Sequence, residues 1–298
     1  VIRAAVIIPA HNEADVIALT LQRLTRPGDT SIAEILVVCN GCTDDTAAVA
    51  GRFEPSVRVL HCPVASKTEA INLGLSECQC DHVVIMDADV ALTPTDVAEI
   101  GRALLAPGVM SVAPSVRTVF ADRTSWMVRT YYRFWMSLPY VKEGMMAAGV
   151  YALNRAGRDR IGVLPRIIAD DGFVRMHFNE TERREVASAV SEVAAPVGLD
   201  DLIKIKTRSR LGWYELRAKF PQLFVGEVGR RNYAAAFASC LTSPANWIAI
   251  WPYLLVNVLS RHRAKRQAKK LSSYVWERDT GSRRAMRAGE LQRPESSR

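Results

Sequence analysis

Apolar residues in the first hundred positions come in short unbroken runs, separated by stretches where they recur at helical spacing. Residues 5–8 (AVII) form one run, stopped by Pro9; Val16, Ile17, Leu21 and Leu24 then mark a helix face, closed by Pro27 and Gly28. Residues 35–38 (ILVV) predict a second strand, followed by Asn40 and Gly41, with Thr43, Asp44 and Asp45 as a helix cap. A third strand is expected at 57–60 and a helix at 67–75, with Ile71 and Leu75 on one face. A fourth strand, 83–86 (VVIM), runs directly into Asp87, Ala88 and Asp89. Continuous apolar strands alternating with amphipathic helices predict a parallel sheet covered on both faces. Such sheets bind ligands at the carboxyl ends of their strands. His11, Asn12 and Glu13, the stretch 40–45, and Asp87 with Asp89 all fall at those ends.

Beyond residue 108 the alternation becomes irregular. Strand candidates remain at 109–113, 150–153 and 185–190, and 173–178 reads as helical. Between them lie an aromatic stretch (Trp126, Tyr131, Tyr132, Phe134, Trp135, Tyr140), a small-residue run at 144–149 (GMMAAG), and Asp170 with Asp171. Aromatic rings suit sugar faces, but at helical spacing they equally suit a core. Asp170 and Asp171 read as carboxylates favoured at a helix N-terminus. His177 fits a packing residue better than a metal ligand.

Composition narrows the class. With 49% hydrophobic residues, 23% charged and a mean hydropathy of +0.01, the chain is globular, not disordered. Its 298 residues hold one large or two ordinary domains. Residues 261–298 carry 12 Lys/Arg against 4 Asp/Glu, which accounts for the whole net charge of +8. The basic pI of 9.3 thus belongs to a tail, not to a face for nucleic acid, and no nucleic-acid partner is expected. Before the tail comes LTSPANWIAIWPYLLVNVL (241–259), then RHRAKRQAKK. An apolar, aromatic segment followed by a polybasic one suits a helix at an anionic membrane face. A span is disfavoured, because the segment barely reaches the roughly 20 residues required and holds two prolines. The remaining alternative is a buried C-terminal helix. No charged-then-apolar leader is read at the N-terminus.

Cysteines at 39, 42, 62, 78, 80 and 240 suggest a reducing compartment. The pairs Cys39/Cys42 and Cys78/Cys80, the latter with His82 nearby, invite a zinc or redox reading. One intervening residue in the second pair is short for structural zinc, and Cys39 closes an apolar strand as a small hydrophobe does.

Two carboxylates one residue apart at the end of a buried strand can share a hard divalent cation that keeps positions open for phosphate oxygens. Taken with residues 7–13 (IIPAHNE), 37–46 (VVCNGCTDDT), 67–74 (KTEAINLG), 86–89 (MDAD) and 169–171 (ADD), in that order, the chain resembles a family 2 glycosyltransferase over residues 4–216. The resemblance implies a GT-A fold: a mostly parallel, Rossmann-like sheet with helices on both faces, here with a C-terminal helical, membrane-associating extension. It implies a glycosyltransferase domain over 1–216, with a nucleotide-binding half (1–107) and an acceptor and catalytic half (108–216). A helical, membrane-surface segment (217–271) and a basic tail (272–298) would follow.

The resemblance also distributes roles. Pro9, Ala10 and Glu13 would line the nucleoside pocket, and Lys67 would lie near the base or diphosphate. Asp87 would contact ribose or metal and Asp89 would ligate Mn²⁺ or Mg²⁺. Asp171 would be the catalytic base, with Asp170 beside it, and the 144–149 run, including Gly149, would floor the donor sugar. Arg208, Arg210 and Trp213 match loosely the segment that closes over donor and acceptor. One departure is clear: relatives carry an Asp pair where this chain has Cys39 and Asn40. Asn40 can still hydrogen-bond a base edge, but the inference of UDP weakens.

The implied reaction is inverting transfer of a sugar from a nucleotide diphosphate sugar to a hydroxyl of a saccharide or lipid-linked saccharide, in polysaccharide or glycolipid synthesis. The expected location is cytoplasmic, peripheral at the inner face of the plasma membrane. A nucleotidyltransferase is the enzymatic alternative, although no Gly-rich, basic phosphate loop follows the first strand. A catalytically silent scaffold that binds nucleotide sugars is the other.

Overall fold

The computed structural model describes residues 3–26, 31–138, 149–225, 244–269, 280–287 and 291–292. Residues 27–28, Tyr140, positions 144–148, Cys240 and much of the basic tail, all invoked above, lie outside the described residues. The chain packs as two compact units: residues 1–118, 145–166 and 170–193 form the first; residues 119–144, 167–169 and 194–298 form the second.

In the first unit the expected alternation is realised. Strands β1 (Ala4–Ala10), β2 (Ile32–Asn40), β3 (Arg58–Cys62) and β4 (Val83–Met86) alternate with helices α1 (Ile17–Leu24), α2 (Thr46–Gly51) and α3 (Lys67–Glu77). Every residue of β1 and β4 is buried, as their unbroken apolar sequences require of strands covered on both faces. The sheet continues through β5 (Val90–Ala91), β6 (Ser111–Ala121), β7 (Val150–Leu153) and β8 (Arg183–Ala194) in the order β3-β2-β1-β4-β7-β6-β8-β5. β3, β2, β1 and β4 pair in parallel; β7 turns the pattern by pairing antiparallel to both β4 and β6.

One apolar cluster of this unit is built from Val6, Ile8, Ile17, Leu21, Val37, Val84, Met86 and Ile100, among others; Ile7, Leu36, Val38, Ile71 and Ile85 are buried outside it. Helix α4 (Pro94–Ala103), which the pattern analysis left without an element, starts from a complete capping box: Thr93 accepts from the Asp96 amide and Asp96 accepts from that of Thr93. At α2 the cap falls within the expected stretch 43–45. Asp45 makes no side-chain cap bond; Asp44 accepts from the Thr46 amide at 3.0 Å instead. Helix α5 (Trp126–Ser137) belongs to the second unit; α6 (Arg155–Ile161) and α7 (Asp170–Met176) complete the helices of the first.

The second unit is helical and aromatic. Helix α5 packs with α8 (Leu199–Lys219) and α9 (Pro244–Ala268). Tyr131 stacks on Tyr253 at 5.6 Å and Phe134 tilts against the same ring at 4.9 Å. Tyr131, Tyr132 and Phe134 are thus core, which resolves the even reading of the aromatic stretch for these three. Trp126 is 63% exposed. Helix α9 runs through Pro252 and on into the basic run as one element.

Candidate active site

The polar residues singled out by the sequence gather at the carboxyl ends of β1, β2 and β4. Glu13 is buried just past β1; its amide donates to Thr46 Oγ1 at 2.7 Å, and its carbonyl starts α1 by accepting from Val16 and Ile17. Asn40 ends β2, 3% exposed, and its amide nitrogen donates to the Ala10 carbonyl at 3.0 Å. That bond ties the end of β2 to the end of β1, so the Asn40 NH₂ already has a partner within the protein. Gly41 follows at φ +53°, where a side chain would strike Ala65 at 2.7 Å. The Cys39 thiol is buried and pushed up to about 12, chiefly by desolvation, as befits an inert core group.

The turn after β4 carries Asp87 and Asp89, half-buried, on either side of buried Ala88. The Ala88 carbonyl accepts from Thr20 Oγ1 at 2.7 Å and the Asp87 carbonyl from the Val90 amide at 3.2 Å, so the turn is fixed from both sides. Gly149 presses on it from β7. Its carbonyl accepts from the Asp87 amide at 2.8 Å, its φ is +79°, and a Cβ there would lie 3.1 Å from Asp87 Oδ2 and 2.9 Å from Val90 Cγ2. Only glycine meets both demands.

Lys67 is the hub. As the first residue of α3 after the Ser66 cap, it sits with its ammonium 2.7 Å from Asp87 Oδ1 and 2.9 Å from Asp170 Oδ1. Asp170, almost completely buried, also accepts from the Tyr151 hydroxyl at 3.3 Å. Two anions hold the Lys67 ammonium firmly protonated against the cost of its burial. Burial and the same carboxylates push the Tyr151 phenol up, keeping it a donor. Asp171, next in the chain, is raised to about 6, first by burial and second by the Asp170 charge; Lys67 and the Gly172 amide, 2.7 Å from Asp171 Oδ1, oppose the rise.

The approach of Asp170 and Asp171 to this cluster depends on α3 as well. Asn72 clasps the backbone of Leu164 twice, Nδ2 to its carbonyl and Oδ1 from its amide, each at 2.9 Å. Arg166 adds an ion pair to Glu69 at 2.7 Å. Asn72 and Tyr151 were not foreseen. For Tyr151 the signal was a phenol inside an otherwise apolar strand, where a buried hydroxyl needs a partner.

Arg210, on α8, donates from Nε to Ser260 Oγ at 3.0 Å and from Nη2 to Asn257 Oδ1, so its guanidinium clamps α9 within the second unit. Arg208 lies half-buried on α8, and Trp213 packs edge-on to Phe224 at 5.9 Å. His177 is engaged with Phe173, Nδ1 lying 2.8 Å from its carbonyl. Pro9 and Ala10 are buried at the end of β1.

One lysine and three carboxylates, Lys67 with Asp87, Asp170 and Asp171, thus meet at the strand ends. The family model of Glycosyl transferase family 2 matches residues 5–160, more than half the chain, and the protein belongs to that family. Among solved structures, glucosyl-3-phosphoglycerate synthase from Mycobacterium tuberculosis in complex with phosphoglyceric acid is 22% identical, with a TM-score of 0.52, over 72% of this chain and 79% of that one. The same enzyme with Mn²⁺ and uridine-diphosphate-glucose matches at 21% identity and TM-score 0.52, over 72% and 78%. Its complex with Mg²⁺ and uridine-diphosphate matches at 20% identity, TM-score 0.52 and the same coverage. At such identity the likeness establishes the fold, which is GT-A. No curated protein matches the chain.

Proposed function

We propose that the protein is a divalent-metal-dependent, inverting glycosyltransferase that uses a nucleotide diphosphate sugar. The observation that carries this reading is the convergence of Asp87, Lys67, Asp170 and Asp171, from three separate parts of the chain, at the strand ends of a family 2 fold. Asp87 and Asp89 are hard oxygen donors. An ion they held would keep positions open for phosphate oxygens and water. Bound there, Mn²⁺ or Mg²⁺ would act as a Lewis acid toward the departing diphosphate. The protein's own residues do the rest. Asp171, with its carboxyl near neutrality, takes the proton of the acceptor hydroxyl as that oxygen bonds to the anomeric carbon and the carbon–phosphate oxygen bond breaks. A single displacement with no sugar–enzyme bond inverts the anomeric centre. Lys67 and Tyr151 position Asp170 and set the field at Asp171. Asn40, Pro9, Ala10 and Glu13 border the nucleoside, and Gly149 admits the donor close to Asp87. The structures of the mycobacterial synthase contain UDP, UDP-glucose and Mn²⁺ or Mg²⁺, which makes those the first ligands to try.

The acceptor we infer is a hydroxyl on a saccharide or lipid-linked saccharide, met at an anionic membrane surface. Support comes from α9. Its exposed face carries Ile248, Trp251, Leu255, Val258 and Leu259 at helical spacing, with Leu254 at the edge. Arg261, His262, Lys265, Arg266 and Lys269 follow, all exposed. Among the described residues no helix is long and apolar enough to cross a membrane; a helix lying in the interface needs only one apolar face and flanking cations.

The deciding experiment is a thermal-shift screen of nucleoside diphosphates with Mg²⁺ or Mn²⁺. A ligand that binds only the folded chain raises Tm by mass action. One nucleotide should stand out, and only with metal present; no shift with any nucleotide and either metal would overturn the donor assignment.

A further inference from the structure

The amino ends of the same strands, opposite the catalytic edge, carry a second cluster that the transfer reaction does not use. Glu34 lies near the start of β2, paired across the sheet with Ala5 of β1. Cys78 caps the C-terminus of α3, and Cys80 sits in the turn that leads into β4. One carboxylate oxygen of Glu34 and the two sulfurs all lie within 4.8 Å of one another.

The turn is built to present them. The Gln79 amide donates to Glu34 Oε1 at 2.9 Å, and the Cys80 amide donates to Cys78 Sγ at 3.4 Å. Arg158 fixes the backbone from the other side, bonding the Cys80 carbonyl and, at 2.9 Å, that of Leu75. All three ligating groups are half-buried, so a small ion can enter from solvent.

We propose that Glu34, Cys78 and Cys80 form a binding site for a soft or borderline divalent cation of the Zn²⁺ class, separate from the hard-metal site of the donor. With Zn–S bonds of about 2.3 Å, tetrahedral coordination sets the sulfurs roughly 3.8 Å apart, a separation within the 4.8 Å that bounds the cluster. The single residue between the cysteines is short for a chelating loop formed by one segment alone. Here the third ligand comes from another strand, which relieves that limit. Three protein ligands leave the fourth position to water, so the site is exchangeable and not a closed structural one. An ion held there straps β2 to the segment entering β4, across β1. It also pins the end of α3, the helix whose first residue is Lys67.

The test uses the full-length, reduced, metal-stripped protein titrated with Co²⁺ and then with Zn²⁺. We expect a single equivalent of Co²⁺ to bring up a thiolate-to-cobalt charge-transfer band, and Zn²⁺ to bleach it. Each thiol releases its proton on binding, so affinity must rise with pH. Cys78→Ser and Cys80→Ser should each abolish the band and Glu34→Gln should weaken binding at least tenfold, while Cys62→Ser, in a buried thiol on β3, leaves it intact. Circular dichroism establishes that each variant is folded. Mg²⁺ or Mn²⁺ at the donor site gives no such band, so the failure of either site does not mask the other. Absence of the band in reduced wild-type protein, or its persistence in folded Cys78→Ser, would overturn the proposal.

Discussion

Asp171 is a carboxyl whose surroundings disagree about its charge. Burial and Asp170 favour the neutral form; Lys67 and the Gly172 amide favour the ionised one. A balance near 6 suits the base role we propose for it: mostly ionised at neutral pH yet basic enough to accept a proton. Turnover should therefore fall as pH drops through about 6. Removing one stabilising charge moves that limb in a known direction. In Lys67→Met the ammonium no longer opposes protonation, so the acidic limb should shift to higher pH, which a kcat–pH profile on the folded variant reads directly; an unmoved limb would remove Lys67 from the electrostatics of the base. The same titration has a stability sign. Because the folded carboxyl is raised, the native state binds its proton more tightly than the unfolded chain, and stability is lost as pH rises from the ordinary carboxylate value to about 6. At this scale the sequence was partly legible. The charges declared themselves by type and by position at strand ends. What they touch did not: Lys67 bridging Asp87 and Asp170, Tyr151 reaching Asp170, and Asn72 holding Leu164 arise from residues distant in the chain, and no periodicity encodes such pairings.

Among the elements, those with an unambiguous period were readable in advance. β1, β2, β4 and α1 follow from unbroken apolar runs and one 3.6-residue stripe, because burial on both faces leaves no other way to place them. Helix α4 escaped, although both its capping box of Thr93 and Asp96 and the helical spacing of Val97, Ile100 and Leu104 stand in the sequence. β7 shows what pattern cannot give. Its residues 150–153 look like any buried strand, and only pairing reveals that it runs antiparallel to β4 and brings Gly149 against Asp87. Helix α9 has one buried and one exposed face. Val256, Ser260 and Ala264 are fully buried at intervals of four, while Trp251 and Val258 are 74% and 63% exposed. Replacing Trp251 and Val258 together with Ser should cut co-sedimentation with phosphatidylglycerol vesicles by tenfold or more and leave turnover on a soluble acceptor unchanged. Equal vesicle binding by the variant would assign that face to something other than lipid. Raising the salt should weaken wild-type binding as well, since the contribution of the cations from Arg261 to Lys269 is screened.

For the molecule as a whole, the charge distribution and the family match divide the chain in the same sense. The family model ends at residue 160, and the net positive charge lies wholly beyond residue 260. Composition alone located the excess charge. It could not assign Arg210, expected over the substrates, to the clamp on Asn257 and Ser260, since an arginine's partner depends on which helix packs beside it. The account rests on Asp171 taking the acceptor's proton while the Asp87 edge holds the diphosphate. The most direct test is the sugar-transfer rate of Asp171→Asn, measured with the nucleotide and metal identified by thermal shift. Asparagine keeps the shape and removes the base, so kcat should fall by about 10²–10⁴-fold with nucleotide affinity unchanged. Transfer at the wild-type rate by a folded Asp171→Asn protein would contradict the account.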